Sequence, residues 1–116
     1  MNREEIISQM SDICLEFSDI LGMVVLFGSF SRGEQTPDSD VDLYIEPKDV
    51  KTTTAMFRNS NRYRSFRRRI YSSFPQEFDF LAFGGKRDIT NVRKSKLWQQ
   101  IEKDGIVLYD KRAKTL

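Results

Sequence analysis

The sequence predicts a mixed α/β (α+β) fold, a small β-sheet flanked by helices, and three observations carry that prediction. Apolar residues recur at three- and four-residue steps near both ends of the chain and in its middle, the period of amphipathic helices. Four short runs rich in β-branched and aromatic residues separate those segments and read as strands. Helices and strands interleave instead of segregating, which implies a small mixed sheet.

Taken in order, residues 4–21 read as a helix, with Ile6, Met10, Ile13, Phe17, and Ile20 or Leu21 on one stripe and Gly22 breaking the pattern. MVVLF, residues 23–27, fits a buried strand that ends at Gly28-Ser29. Phe30 to Gly33 leaves room for one helical turn, and the polar loop EQTPDS follows. A second strand runs from Asp40 to Glu46 and is closed by Pro47. Its alternation sends Val41, Leu43 and Ile45 to one face and Asp40, Asp42 and Tyr44 to the other. Residues 48–52 connect it to a helix or helical pair over 53–73, striped by Tyr63, Phe66, Ile70 and Phe74 and ended by Pro75.

EFDFLAF, residues 77–83, is a third strand with Phe78, Phe80 and Ala82 on one side and Asp79, Leu81 and Phe83 on the other. Gly84-Gly85 turns the chain towards a helix over 90–103, capped by Thr90 or Asn91, with Leu97, Trp98 and Ile101 facing inward. Gly105 suits its C-cap. IVLY, residues 106–109, is the last strand, and the polar tail KRAKTL is expected to fray.

Composition narrows the function classes. A chain of 116 residues fits one domain spanning 1–116. Nineteen basic residues nearly balance 17 acidic ones, so the net charge of +2 implies no nucleic-acid partner by itself. No apolar run is long enough for a membrane span, and MNREEIISQM lacks the apolar core of a signal peptide. The sole cysteine, Cys14, excludes an intrachain disulfide and reads as a buried thiol in the reducing cytoplasm. With no histidine in the chain, Cys14 lacks a base that would make it a nucleophile. A metal site must then rest on carboxylates, which favours magnesium over zinc. Trp98 reads as a packing residue.

The chemistry concentrates in GSFSRGEQTPDSDVDLYIE, residues 28–46. Asp40 and Asp42 point to one face of a strand, where like charges repel unless a cation compensates them. Asp79 interrupts another apolar strand and is a third carboxylate that a neighbouring strand brings beside the pair. Three such groups suit nucleotidyl transfer, in which metal ions neutralise phosphate charge during an in-line displacement. The Gly28-Ser29 turn offers backbone N–H groups to phosphates, the Ser29 hydroxyl adds a donor, and Arg32 is within reach of the same phosphates. The structural alternative is a solvated acidic sheet face, with Asp38 in a loop and Asp79 on an exposed edge. Tyr44 either stacks on a base or packs.

Gly28-Ser29, ten intervening residues, then Asp40-Val41-Asp42 resembles the signature of the polymerase-β-like nucleotidyltransferases. GSFSRG and SDVDL look most like the minimal nucleotidyltransferase (MNT, MntA-like antitoxin) branch, with Arg32, Gly33, Ser39 and Leu43 in the usual places. Asp79 in FDFLAF matches the family's third acidic residue, and the last helix with GIVLYD matches its ending. The resemblance implies a nucleotidyltransferase palm that binds ATP and Mg2+. Asp40, Asp42 and Asp79 would be its catalytic and metal residues, and Gly28, Ser29, Arg32, Gly33 and Ser39 would bind nucleotide. It also implies a partner, a HEPN-domain RNase toxin that such antitoxins neutralise by contact and by AMP transfer onto a tyrosine. The substrate-recognition domain of larger relatives has no counterpart here, so a docked protein is the expected acceptor.

Between Lys51 and Gln76 there is no acid, and Arg58, Arg62, Arg64, Arg67, Arg68 and Arg69 alternate with aromatics. Arg62, Arg64, Arg67 and Arg68 are expected to contact a partner or phosphates, the alternative being a solvated helix face. The aromatics have core spacing, which favours a protein interface over base stacking and leaves direct nucleic-acid binding open. The expected function is protein adenylyltransferase and antitoxin. Its alternatives are a non-catalytic antitoxin that works by contact and a small RNA-modifying nucleotidyltransferase. A homodimer or a hetero-oligomer would suit a chain this short.

Overall fold

The protein, seen as a computed structural model that describes residues 1–112, builds its sheet in the order β3-β2-β1-β4. The strands are β1 (Leu21–Phe27), β2 (Val41–Pro47), β3 (Phe78–Ala82) and β4 (Ile106–Asp110). β1 pairs antiparallel with β2 and β4, whereas β2 and β3 are parallel, so the sheet is mixed as expected. The parallel pair needs a crossover, and the helices between β2 and β3 supply it.

Helix α1 (Arg3–Glu16) opens with a reciprocal cap: the Asn2 side chain accepts from the Glu5 N–H, and the Glu5 carboxylate accepts from the Asn2 N–H. It buries Ile6, Met10, Ile13 and Cys14. The helix stops earlier than the apolar stripe suggested, because Phe17 to Ile20 form turns and Leu21 already pairs with Pro47. Gly22 does not break an element but lies inside β1 at a register shift, where a Cβ would strike the Pro47 carbonyl. Pro47 likewise belongs to β2 as its last residue, while Asp40 falls just before that strand.

The helical region over 53–73 is a pair, α3 (Thr54–Arg58) and α4 (Asn61–Ser73), each opened by a hydroxyl cap, Thr53 and Ser60. The expected single helix over 90–103 is also two helices, α5 (Lys86–Arg93) and α6 (Lys96–Asp104). Neither Thr90 nor Asn91 is a cap. Gly85 opens α5 with φ +78°, and Ser95 divides the segment by accepting from the Trp98 N–H while donating to the Val92 carbonyl at 2.6 Å. Gly105 is the C-cap of α6.

Helices cover both faces of the sheet. One face packs Val24, Leu26, Leu43 and Ile45 against Met10 and Phe17 from the α1 end and against Phe66 and Ile70 of α4. Phe66 is fully buried and meets Phe17 edge-on at 5.4 Å between ring centroids. On the other face Met23, Val25, Phe27 and Tyr44 pack against Val92, Ile101, Leu97 and Trp98. Cys14 is buried, and that burial pushes its thiol up to about 12. No helix of the described residues is long and apolar enough to cross a membrane. Of the predicted frayed tail, residues 113–116 lie outside the described residues.

Candidate active site

At the head of β1 the backbone turns sharply. Gly28 has φ +80° and ψ −159°, a conformation that is essentially confined to glycine. The short helix α2 (Ser29–Arg32) follows, and Gly33 closes it in the left-handed region. The Ser31 hydroxyl donates to the Gly28 carbonyl at 2.8 Å. Arg3 reaches across from α1 and donates to the Phe30 and Ser31 carbonyls, both at 2.7 Å. The turn is thus fixed from within and from α1. The Ser31 and Arg32 amides donate to the Gly28 carbonyl, whereas the Ser29 and Phe30 amides that open the helix have no acceptor within it, which suits them to an anion.

Strand register brings the carboxylates to this turn. Phe27 pairs with Asp42, and a Cβ added to Gly28 would land on the Asp42 carboxylate. Asp42 in turn lies opposite Asp79 across the parallel β2–β3 pair. Residues in register share a face and sit about 5 Å apart, so both acids rise on one side of the sheet. Asp40, exposed, stands just ahead of β2. Burial holds the Asp42 carboxyl above its ordinary value; repulsion from Asp79 and then Asp40 adds to the rise, and Arg32 opposes it.

Arg32 is held by Glu34 at 2.6 Å and faces Asp104, at the end of α6, at 3.8 Å. Ser39 pins the approach to Asp40, its hydroxyl accepting from the Thr36 N–H at 2.8 Å. Tyr44 is no stacking platform. It is fully buried, with Phe83 and Trp98 against its ring and its hydroxyl donating to Glu46 at 2.5 Å. Arg93 completes that buried network on Glu46, also at 2.5 Å, and lies over Trp98.

The donor set fits a hard divalent cation, since it consists of carboxylate oxygens whose mutual repulsion a cation would relieve. No group of three or more His, Cys, Asp or Glu side chains among the described residues is gathered as a formed metal site. The arginines divide by position. Arg62 is bound to Asp19, Arg67 lies over the Tyr63 and Phe80 rings, and Arg64 and Arg68 are exposed. A cavity of about 690 Å³ lies at the opposite end of β1 and β2, lined by Ile20, Pro47, Val50 and Phe57. Volume alone does not identify the chemistry, because it offers apolar wall where the other end offers carboxylates and a glycine turn.

Three contributors escaped sequence reasoning. Ser31 carried a signal, a second hydroxyl within GSFS, whereas Arg3 and Asp104 act across chain separations that no local pattern reveals.

Residues 9–114 match the family described as polymerase beta, nucleotidyltransferase. No curated protein matches the chain. Among solved structures, a toxin–antitoxin complex with AMP-PNP is similar at 20% identity and TM-score 0.54, covering 88% of this chain and 74% of the other. A complex of the tri-AMPylated Shewanella oneidensis HEPN toxin with its MNT antitoxin aligns at 16% identity and TM-score 0.55, over 94% and 73%. A putative nucleotidyltransferase from Sulfolobus solfataricus aligns at 17% identity and TM-score 0.55, over 98% and 88%. At these identities the likeness is one of fold.

Proposed function

The chain belongs to the polymerase-β nucleotidyltransferase family, and from that premise we propose that it is a Mg2+-dependent protein adenylyltransferase of the minimal, MNT type. It moves AMP from ATP to a HEPN-type RNase toxin and so serves as that toxin's antitoxin in the cytoplasm. The observation that carries this reading is the contact of the Asp42 carboxylate with the Gly28 turn, with Asp79 in register beside it. Phosphate-holding and metal-holding groups then share one small space.

In this reading the amides that open α2 and the Ser29 hydroxyl hold the outer phosphates of ATP, with Arg32 turning from Glu34 towards them. Gly33 and Ser39 keep the flanking loop in shape. Asp40 and Asp42 would hold Mg2+, with Asp79 completing the set, and the ion when bound would supply positive charge against the phosphates during the displacement at the α-phosphate. The acceptor hydroxyl oxygen bonds to that phosphorus, the bond to the bridging oxygen breaks, and pyrophosphate departs. Asp79, exposed on its strand, takes the hydroxyl proton. The protein acceptor is supported by the similar structure in which an MNT antitoxin accompanies an AMPylated HEPN toxin.

A second reading, neutralisation by contact alone, is favoured by one observation, the position of Asp40, which is exposed and lies ahead of β2 instead of on it beside Asp42. Incubation of the purified chain with ATP, Mg2+ and the protein encoded beside it separates the two. Label from the α-phosphate, but not from the γ-phosphate, should appear on that protein and vanish with D40A/D42A. Neutralisation without any label would refute transfer.

A further inference from the structure

The six arginines of α3 and α4 fall into two groups. Arg62 and Arg69 face α1 and are held by Asp19 at 2.8 Å and Glu16 at 3.1 Å. Arg58, Arg64, Arg67 and Arg68 have no carboxylate within ion-pair distance among the described residues. At helical spacing Tyr63, Arg67 and Tyr71 form one row, and Arg64 and Arg68 form the next row outward. The first row faces the outer edge of β3. There Arg58, Arg67, Tyr71 and Phe80 line a groove of about 500 Å³ that also reaches Asp79. The Arg67 guanidinium lies 5.5 Å from the Phe80 ring centroid, and its Nε is buried with no hydrogen-bond partner among the described residues.

The edge itself is open in one place. β3 is the outermost strand on its side of the sheet. The Glu77 carbonyl and the Phe83 N–H bond to β2, so Phe78, Phe80 and Ala82 turn their backbone groups outward. Tyr71 reaches the Phe78 carbonyl at 3.5 Å, and Arg58 donates to the Ala82 carbonyl at 2.8 Å. Both ends of the edge are thereby covered by side chains. Phe80, between them, is where a short extended segment can pair.

We propose that this groove docks an extended acidic segment of the acceptor protein, which pairs with the Phe80 backbone and sets its carboxylates against Arg64, Arg67 and Arg68. The proposal rests on the transferase reading, because the groove leads to Asp79. A polypeptide is favoured over RNA because strand-spaced backbone groups complement another backbone, and Arg67 already covers the Tyr63 and Phe80 rings where a base would stack.

The test uses the full chain without ATP and three fluorescein-labelled probes: a Glu/Val-alternating peptide with one central Tyr, its Lys/Val counterpart, and oligouridine. Fluorescence anisotropy should show binding of the acidic peptide alone, weakened about tenfold or more in R64E/R68E. The Phe80 amide resonance should shift on binding. Equal binding by R64E/R68E, an unmoved Phe80 amide, or preference for oligouridine would overturn the proposal. Both arginines are exposed, and circular dichroism checks that the variant is folded. Titration of ATP with Mg2+ runs in parallel: its failure would strike the transferase reading, whereas failure of the peptide with ATP still bound would strike the groove.

Discussion

Replacing Gly28 by alanine separates backbone strain from damage to the site. With φ +80° and ψ −159°, Gly28 occupies a region that costs a residue with a side chain about 1–3 kcal/mol. The new methyl would also meet the Asp42 carboxylate, the mobile end of its side chain, so the carboxylate swings away while the backbone holds. Gly33→Ala is the matched control. Its φ of +73° and ψ of +18° impose left-handed strain of about 1–2 kcal/mol. The nearest atom to its methyl would be the Arg3 Nε at 4.0 Å, and Asp42 would not move. Urea unfolding should find both variants less stable, by those amounts. Calorimetric titration with AMP-PNP and Mg2+ should find binding weakened about tenfold or more in G28A, the loss of one well-placed charged contact, and weakened less in G33A, which disturbs only the flanking loop. G28A that binds like G33A would refute the shared phosphate–carboxylate space.

Four further outcomes follow from the same structure. Asp42 is held above its ordinary value of 3.8, so the native state favours its proton; that stability is present below the ordinary value and lost as pH rises through the folded one. Asp42→Asn should therefore be more stable than wild type at pH 7, by no more than about 1 kcal/mol because solvent screens the half-exposed carboxylate, and the difference should vanish near pH 3 in urea titrations. Arg93→Ala leaves Glu46 and Tyr44 buried with a broken network, and because Arg93 is partly exposed the cost should be about 2 kcal/mol, below that of a fully buried pair. Phe66→Ala empties a fully buried aromatic site between the helices and the sheet and should cost about 3–5 kcal/mol by the same assay. Cys14, with its thiol pushed up to about 12, should resist iodoacetamide at pH 8 in the native protein and react fully in urea.

The strands were legible because their alternation is strong. DVDLYI placed Val41, Leu43 and Ile45 in the core and Asp42 on the opposite face, as observed. The α4 stripe of Tyr63, Phe66 and Ile70 was equally clear. Boundaries failed where a local cue had a tertiary reason. Gly22 and Pro47 look like terminators in sequence, yet Pro47 pairs with Leu21 at the start of the β1–β2 pairing and Gly22 lies at the register shift against the Pro47 carbonyl. Ser95 divided the stretch that reads in sequence as one helix over 90–103, because a capping hydroxyl competed with continuation of the helix. At the site, the Gly28 turn and its acids could be read from spacing. The pinning by Arg3 and the Asp104–Arg32 contact could not, since they depend on how distant elements pack.

Nucleotide binding at the Gly28 end of the β1–β2 pair, and not at the Pro47 end, is the central claim. The direct measurement is the change in backbone amide resonances of the isotopically labelled protein as ATP and Mg2+ are added. The largest shifts should fall on Gly28, Ser29, Asp40, Asp42 and Asp79, and they should be lost when Mg2+ is withheld. Shifts concentrated instead on Ile20, Val50 and Phe57 around the larger apolar cavity, or the same shifts without Mg2+, would contradict it.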